Sequence, residues 1–136
     1  MRREELAYLA GIIDGEGSIR IERSTRNYYR LRISVANTSI ALMKWLQKKC
    51  GNTFIKERKR KGNRRQQYQW DSNRLFDVVT LLTDLLPYLI IKHDHSLVAL
   101  EFAEIKKSRK RRYSDKQKKE IVLLFEKMKV LNSRGL

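Results

Sequence analysis

The chain has 136 residues, 41% of them hydrophobic, which is enough for one domain with its own core. Its 31 Lys and Arg against 15 Asp and Glu leave a formal net charge of +16, a surplus that points to a polyanionic partner. A lone cysteine, Cys50, excludes an intrachain disulfide and a Cys-rich zinc site, and no apolar run is long enough to span a bilayer or to serve as a signal peptide. The expectation is a soluble, intracellular protein with no membrane partner, forming a single domain over 1–136 with a C-terminal helical part from about 107.

The segment from Leu6 to Ile13 carries no charge and reads as a helix apolar nearly all round. Ile19 and Ile21 then alternate with Arg20 and Glu22, and Tyr29, Leu31, Ile33 and Val35 with Arg30, Arg32 and Ser34. These are two half-buried strands joined by a turn at Asn27. Thr38 or Ser39 can cap a helix running to Cys50-Gly51. Phe54 to Arg60 and Arg65 to Asp71 read as a hairpin around Gly62-Asn63. A helix from about Arg74 to Leu86 stops before Pro87, another spans about Ile91 to Lys106, and a last begins at the capping box Ser114-Asp115-Lys116-Gln117. That last helix is expected to bury Ile121, Leu124, Phe125 and Met128. The order αββαββ followed by helices is an α+β domain, with helices on one face of an antiparallel sheet.

The alternation also predicts what the opposite face of the sheet carries. Arg20 and Glu22, Arg30, Arg32 and Ser34, Lys56, Arg58 and Arg60, and Arg65, Gln67 and Gln69 would all point outward, while Tyr68 and Trp70 face the core. Glu22 and Asp71 are the acidic residues expected on that face. Arginine suits guanine edges and glutamine adenine edges, and both suit phosphates, so this is a candidate surface for double-stranded DNA. An ordinary wet sheet face would carry mixed charge. The basic run from Lys106 to Arg112 reads as a loop gripping phosphates.

Ala7, Gly11 and Gly15 recur every four residues and keep one helix face small. Another helix backbone can approach closely there. A helix apolar on all sides needs a second partner besides its own core, and since the segment occurs once, a second copy of the chain is the expected one. A two-fold axis would bring two Asp14-Gly15-Glu16 turns together. Paired carboxylates there would hold hard divalent cations.

Residues 9–17 read Leu-Ala-Gly-Ile-Ile-Asp-Gly-Glu-Gly. This segment resembles the signature of the LAGLIDADG homing endonucleases, single-motif homodimeric type, and the αββαββ order is also that family's. The resemblance covers the chain to about Lys106. It implies an αββαββα(α) fold whose sheet forms a DNA-binding saddle. It further implies sequence-specific, double-strand cleavage by divalent-metal-dependent phosphodiester hydrolysis, at a long pseudo-palindromic site, in the service of intron homing. The metal would be Mg²⁺ or another divalent cation such as Mn²⁺. Carried over residue by residue, Glu16 stands at the metal-binding acid and Gly15 at the neighbour whose carbonyl helps ligate the metal. Asp14 stands at the first acidic position, more often structural. Lys92 stands at the basic residue that would stabilise phosphate charge or assist the nucleophilic water. Where the family often has Gln to organise water, Ser39 stands here, with Asn37 close by. Alternatives are an intron maturase that binds RNA, a non-cleaving DNA-binding regulator of the same fold, and an RNA-binding accessory protein. His93-Asp94-His95 reads as helix polarity rather than a metal site, because residues two apart on a helix do not share a face.

Overall fold

The computed structural model describes residues 1–51, 54–58, 61–62 and 65–133. The elements are α1 (Arg3–Glu16), β1 (Gly17–Arg23), β2 (Tyr29–Asn37), α2 (Ile40–Cys50), β3 (Phe54–Arg58), β4 (Gln67–Ser72), α3 (Leu75–Leu85), a 3₁₀ turn (Leu86–Tyr88), α4 (His93–Ser108) and α5 (Asp115–Ser133). The strands form one antiparallel sheet in the order β1-β2-β4-β3. The expected α+β class and element order therefore hold.

Alternation decides which face is covered. Ile19, Ile21, Leu31, Ile33, Val35 and Trp70 are buried and meet Leu9 and Ile13 of α1, Met43 and Leu46 of α2, Leu82 of α3 and Phe102 of α4 in one core. Burying side chains of this size contributes about 1.5–3 kcal/mol each before chain entropy is set against it. The capping box of α5 is present: the Gln117 amide donates to Ser114 Oγ at 3.1 Å, and the Ser114 amide to Gln117 Oε1 at 2.9 Å. Ile121, Leu124 and Met128 are buried from α5, whereas Phe125 is only half-buried and packs edge-on against Tyr29. Asn27 has the left-handed backbone expected of the β1–β2 turn, with φ +57°.

Several boundaries differ from the sequence reading, each for a local reason. Pro87 does not simply stop α3; the chain tightens into the 3₁₀ turn, where proline sits in the first turn and its missing N–H costs nothing. Described β3 ends at Arg58, and β4 begins at Gln67, so Arg65 lies exposed in the connection rather than on the strand. Arg60 and Asn63 lie outside the described residues. Asp71 shares the outward row with Gln69 but is fully buried, because the Gln69 amide donates to it at 2.9 Å and the Lys56 ammonium lies 3.6 Å away. It is a buried anchor for two face residues, not part of the exposed surface. Lastly, α1 is not buried all round by its own chain. Leu9, Ala10 and Ile13 face the core, while Ala7, Tyr8, Gly11 and Gly15 are exposed. Among the described residues no helix is long and apolar enough to cross a membrane.

Candidate active site and nucleic-acid interface

The joint between α1 and β1 sets the site. Gly17 follows the helix directly, and its amide donates to the Ile13 carbonyl. A Cβ on Gly17 would stand 2.8 Å from Ile13 Cα and 2.9 Å from Ile13 O, so only glycine lets the strand leave the helix this tightly. The consequence is positional: Glu16, the last helical residue, emerges exposed where α1 meets the polar face of the sheet.

The two acids of the turn do different things. Asp14 points back into the protein. Its carboxylate accepts the Ile90 amide through one oxygen and the Lys92 amide through the other, both at 2.9 Å, and its carbonyl accepts Lys92 Nζ at 3.2 Å. Asp14 thus fixes the segment that enters α4 and holds Lys92 beside the turn. Glu16 points the other way and accepts a short hydrogen bond from Asn37 Nδ2, while the Ser39 amide donates to Asn37 Oδ1 at 2.8 Å. Ser39 itself caps α2, its hydroxyl accepting the Leu42 amide at 3.2 Å. Asn37 is therefore the side chain that reaches Glu16, with Ser39 behind it. The sequence placed Asn37 in the neighbourhood but carried no signal for that contact, which depends on where the end of β2 lies beside the end of α1.

From Glu16 a hollow of about 380 Å³ runs onto the sheet, lined by Ser18, Arg20, Glu22, Arg32, Ser34, Ala36, Arg58 and Gln69. The register lays these residues in rows across the strands. Arg20 lies opposite Arg32, Glu22 opposite Arg30, Ser18 opposite Ser34, Gln69 opposite Lys56 and Gln67 opposite Arg58. Ser18 and Ser34 share a hydrogen bond of 2.8 Å. Glu22 takes Arg32 at 3.1 Å and Arg30 at 3.9 Å through the same oxygen, bridging the two guanidinium groups. Arg20 directly opposite Arg32 is a like-charge pair, unfavourable by itself and relieved by an anion between them. Of the face residues expected from the sequence, Arg20, Glu22, Arg30, Arg32, Ser34, Lys56, Arg58, Gln67 and Gln69 lie on the outward rows.

The oxygen donors at the turn suit a hard divalent cation by type. A helix end leaves its last carbonyls without intrahelical partners, which is where Gly15 and Glu16 lie. Among the described residues no three His, Cys, Asp or Glu side chains cluster to hold a metal. His95 is buried in α4, where desolvation and then Lys92 hold it below its ordinary pKa, while His93 is half-buried.

The exposed side of α1 forms a shallow groove of about 500 Å³ lined by Ala7, Tyr8, Gly11, Ile12, Gly15, Glu16, Asn37 and Leu42. Tyr8, 58% exposed, stacks edge-on with Trp45 at 5.0 Å. Ile90 and Ile91, tied to α1 through Asp14, are 85% and 66% exposed.

Residues 9–105 match the family model described as LAGLIDADG endonuclease. Among solved structures, the homing endonuclease I-CvuI, in complex with its target, superposes with a TM-score of 0.77 at 23% identity, covering 94% of this chain and 82% of that one. The archaeal intron-encoded homing endonuclease I-Vdi141I, complexed with DNA, gives 0.77 at 16% identity over 98% of this chain and 87% of that one. The meganuclease I-SmaMI, bound to uncleavable DNA, gives 0.73 at 21% identity over 90% of this chain but only 44% of that one. No curated protein sequence matches the chain. With the signature at residues 9–17, its acid at the mouth of a basic sheet and the family model spanning most of the chain, this protein belongs to the LAGLIDADG endonuclease family and is a DNA-cutting hydrolase.

Proposed function

We propose that the chain works as a homodimer that cuts both strands of a long, pseudo-palindromic DNA site, with intron homing as its role. The observation that carries this reading is the exposed Glu16 carboxylate at the point where α1 meets the hollow of the sheet that carries Arg20, Arg32 and Arg58. Each sheet would lie in a major groove, with Arg30, Arg32, Arg58, Gln67 and Gln69 available to base edges and Arg20 and Lys56 to either bases or phosphates. Arg65, off the described strands, would reach a flanking phosphate. The small face of α1, lined by Ala7, Gly11 and Gly15, would receive the same face of a second copy, bringing two Glu16 residues to one axis. A chain that aligns with 44% of I-SmaMI is the size expected of one half of such an assembly.

In each half, the Glu16 carboxylate and the Gly15 carbonyl would hold Mg²⁺ or Mn²⁺ together with a DNA phosphate. The bound metal supplies activation of water and stabilisation of the leaving oxygen. Asn37, which donates to the Glu16 carboxylate and is itself held by the Ser39 amide, would order water beside it. Lys92, held by Asp14, would present its ammonium to the negative charge that develops on the phosphate oxygens.

The test is Mg²⁺-dependent cutting of genomic DNA that lacks the intron, all ends sequenced, with Glu16→Gln in parallel. The variant keeps an oxygen to accept from Asn37 and should fold and bind DNA normally. Recurrent double-strand ends at one locus, absent with the variant, are the expected result. Cutting retained by Glu16→Gln would remove Glu16 from the mechanism. Binding without ends from the unaltered chain would favour a maturase or regulator.

A further inference from the structure

A fully buried carboxylate stands among the outward rows of the sheet. On β4, Asp71 lies two residues beyond Gln69 and opposite Ser34 of β2, so it shares the face that carries Arg20, Arg32 and Arg58. Such a group is unfavourable there for two reasons. A covered carboxylate loses its hydration, and its charge opposes the phosphates that this face would meet. An amide or an apolar side chain of similar size would avoid both. The hydroxyls on the same row are bonded to each other, Ser18 Oγ to Ser34 Oγ at 2.8 Å. Asp71 Oδ1 instead accepts Gln69 Nε2 at 2.9 Å. Its Oδ2 accepts no hydrogen bond among the described residues and lies 3.6 Å from the Lys56 ammonium, which balances its charge.

Both partners of Asp71 belong to the next row. Gln69 pairs with Lys56 of β3 on one side and with Ala36 of β2 on the other, and Ala36 has no polar side chain to offer it. Gln69, Ala36 and Glu16 line one hollow, so this row lies towards the scissile end of the face. The chemistry of the pair fixes which way Gln69 turns. Rotating a glutamine amide by half a turn exchanges its oxygen for its NH₂ group, an acceptor for two donors. A carboxylate only accepts, so it draws the amide nitrogen inwards and leaves the oxygen outwards. The rotated form would set oxygen against oxygen in a buried place. Gln69 therefore keeps an oxygen and one N–H for a ligand.

We infer that Asp71 is a positioning residue for base recognition: by holding the Gln69 amide in one orientation it makes Gln69 a reader of adenine, in the part of the site nearest the cut. In the major groove guanine presents only acceptors, thymine an acceptor and a methyl group, and cytosine a lone donor. Adenine alone presents a donor, N6, beside an acceptor, N7, and so matches both groups that Asp71 leaves available on Gln69. The inference rests on the sheet being the face that reads DNA.

The probe is a pool of duplexes with a fully randomised central stretch, bound to the full chain at one salt concentration without divalent metal; the bound fraction is recovered and sequenced. The unaltered chain, Gln69→Ala, Asp71→Asn and the double variant are compared. Gln69→Ala identifies the position that Gln69 reads. There the unaltered chain should favour adenine by roughly tenfold to a hundredfold, and Gln69→Ala should abolish the preference. Asp71→Asn keeps the shape but can donate as well as accept, so both orientations of Gln69 return. Adenine preference at that position should fall to about threefold or less, with the other positions unchanged. In the Gln69→Ala background Asp71→Asn should change nothing further there. A preference that survives Asp71→Asn overturns the inference, as does an equal loss at every position, which would make Asp71 a support of the sheet as a whole. A base other than adenine at the Gln69 position, or a profile that Gln69→Ala leaves intact, overturns it even if Asp71→Asn does not fold. Failure of the wider reading looks different: an unaltered chain that enriches no base at any position does not read sequence with its sheet, and the inference falls with it.

Discussion

Gly11 offers a substitution whose two readings differ in sign. It lies mid-helix on the exposed side of α1, and a Cβ there meets nothing within 4 Å in a single protomer. If the chain acted alone, Gly11→Leu would replace a poor helix former with a good one on open surface and add about 0.8 kcal/mol of stability. That is a rise of roughly 3–5 °C in Tm for a domain of this size. If α1 packs against a second α1, the added side chain has no room. Overpacking costs about 1–3 kcal/mol per copy, and two-fold symmetry doubles it. Dimer dissociation constants would rise by roughly 30-fold to twenty-thousandfold. Sedimentation velocity over a range of concentrations reads the dimer fraction, and thermal melts at the same concentrations read stability. The expected result is a shift towards monomer with loss of double-strand cutting. A Gly11→Leu protein that melts higher, stays dimeric and still cuts would refute the α1 interface and with it the pairing of two Glu16 residues.

Three other outcomes follow from the same geometry. Asp14→Ala removes the acceptor for two backbone amides; it should cost about 2 kcal/mol and lower Tm by roughly 5–10 °C, whereas Lys92→Met should leave Tm nearly unchanged and cut kcat by about a hundredfold or more, as melts and single-turnover cleavage would show. The reverse pattern would exchange their roles. Gly17→Ala forces the strand off the Ile13 backbone and should cost about 1–3 kcal/mol, measurable by denaturant unfolding; a neutral result would mean that the α1–β1 joint can widen freely. Burial pushes the Cys50 thiol up to about 12, so at pH 8 the folded protein should react with iodoacetamide about a thousandfold more slowly than the unfolded chain. Rapid modification of the native protein would show that the end of α2 opens.

What the sequence disclosed and what it withheld divide along a physical line. Strands with period-two alternation could be assigned by face because one side of each had to meet the core, so the outward rows from Arg20 to Gln69 were legible one residue at a time. The nine-residue signature placed Glu16 because a helix-to-strand joint sealed by Gly17 is a local event. Edges were harder. Nothing local showed that β4 would start at Gln67 and leave Arg65 off the face, or that Asp71, spaced for exposure, would be covered by Gln69 and Lys56. Those outcomes depend on neighbouring strands.

The same limit hid the division of labour between the two acids. Asp14 and Glu16 sit two residues apart in one turn, and charge alone does not separate them. What separates them is the partner that arrives from elsewhere. The segment at 90–92 delivers two backbone donors to Asp14, and a carboxylate receiving both is committed to structure. Glu16 receives one amide from Asn37 and otherwise faces the hollow. An acid free to bind a ligand is thus defined by what the fold fails to bring to it, and long-range contacts, not motif positions, make that distinction. Asp14 holds the backbone that carries Lys92, whose ammonium also rests on the Asp14 carbonyl, so one turn fixes a cation on the side away from Glu16's hollow.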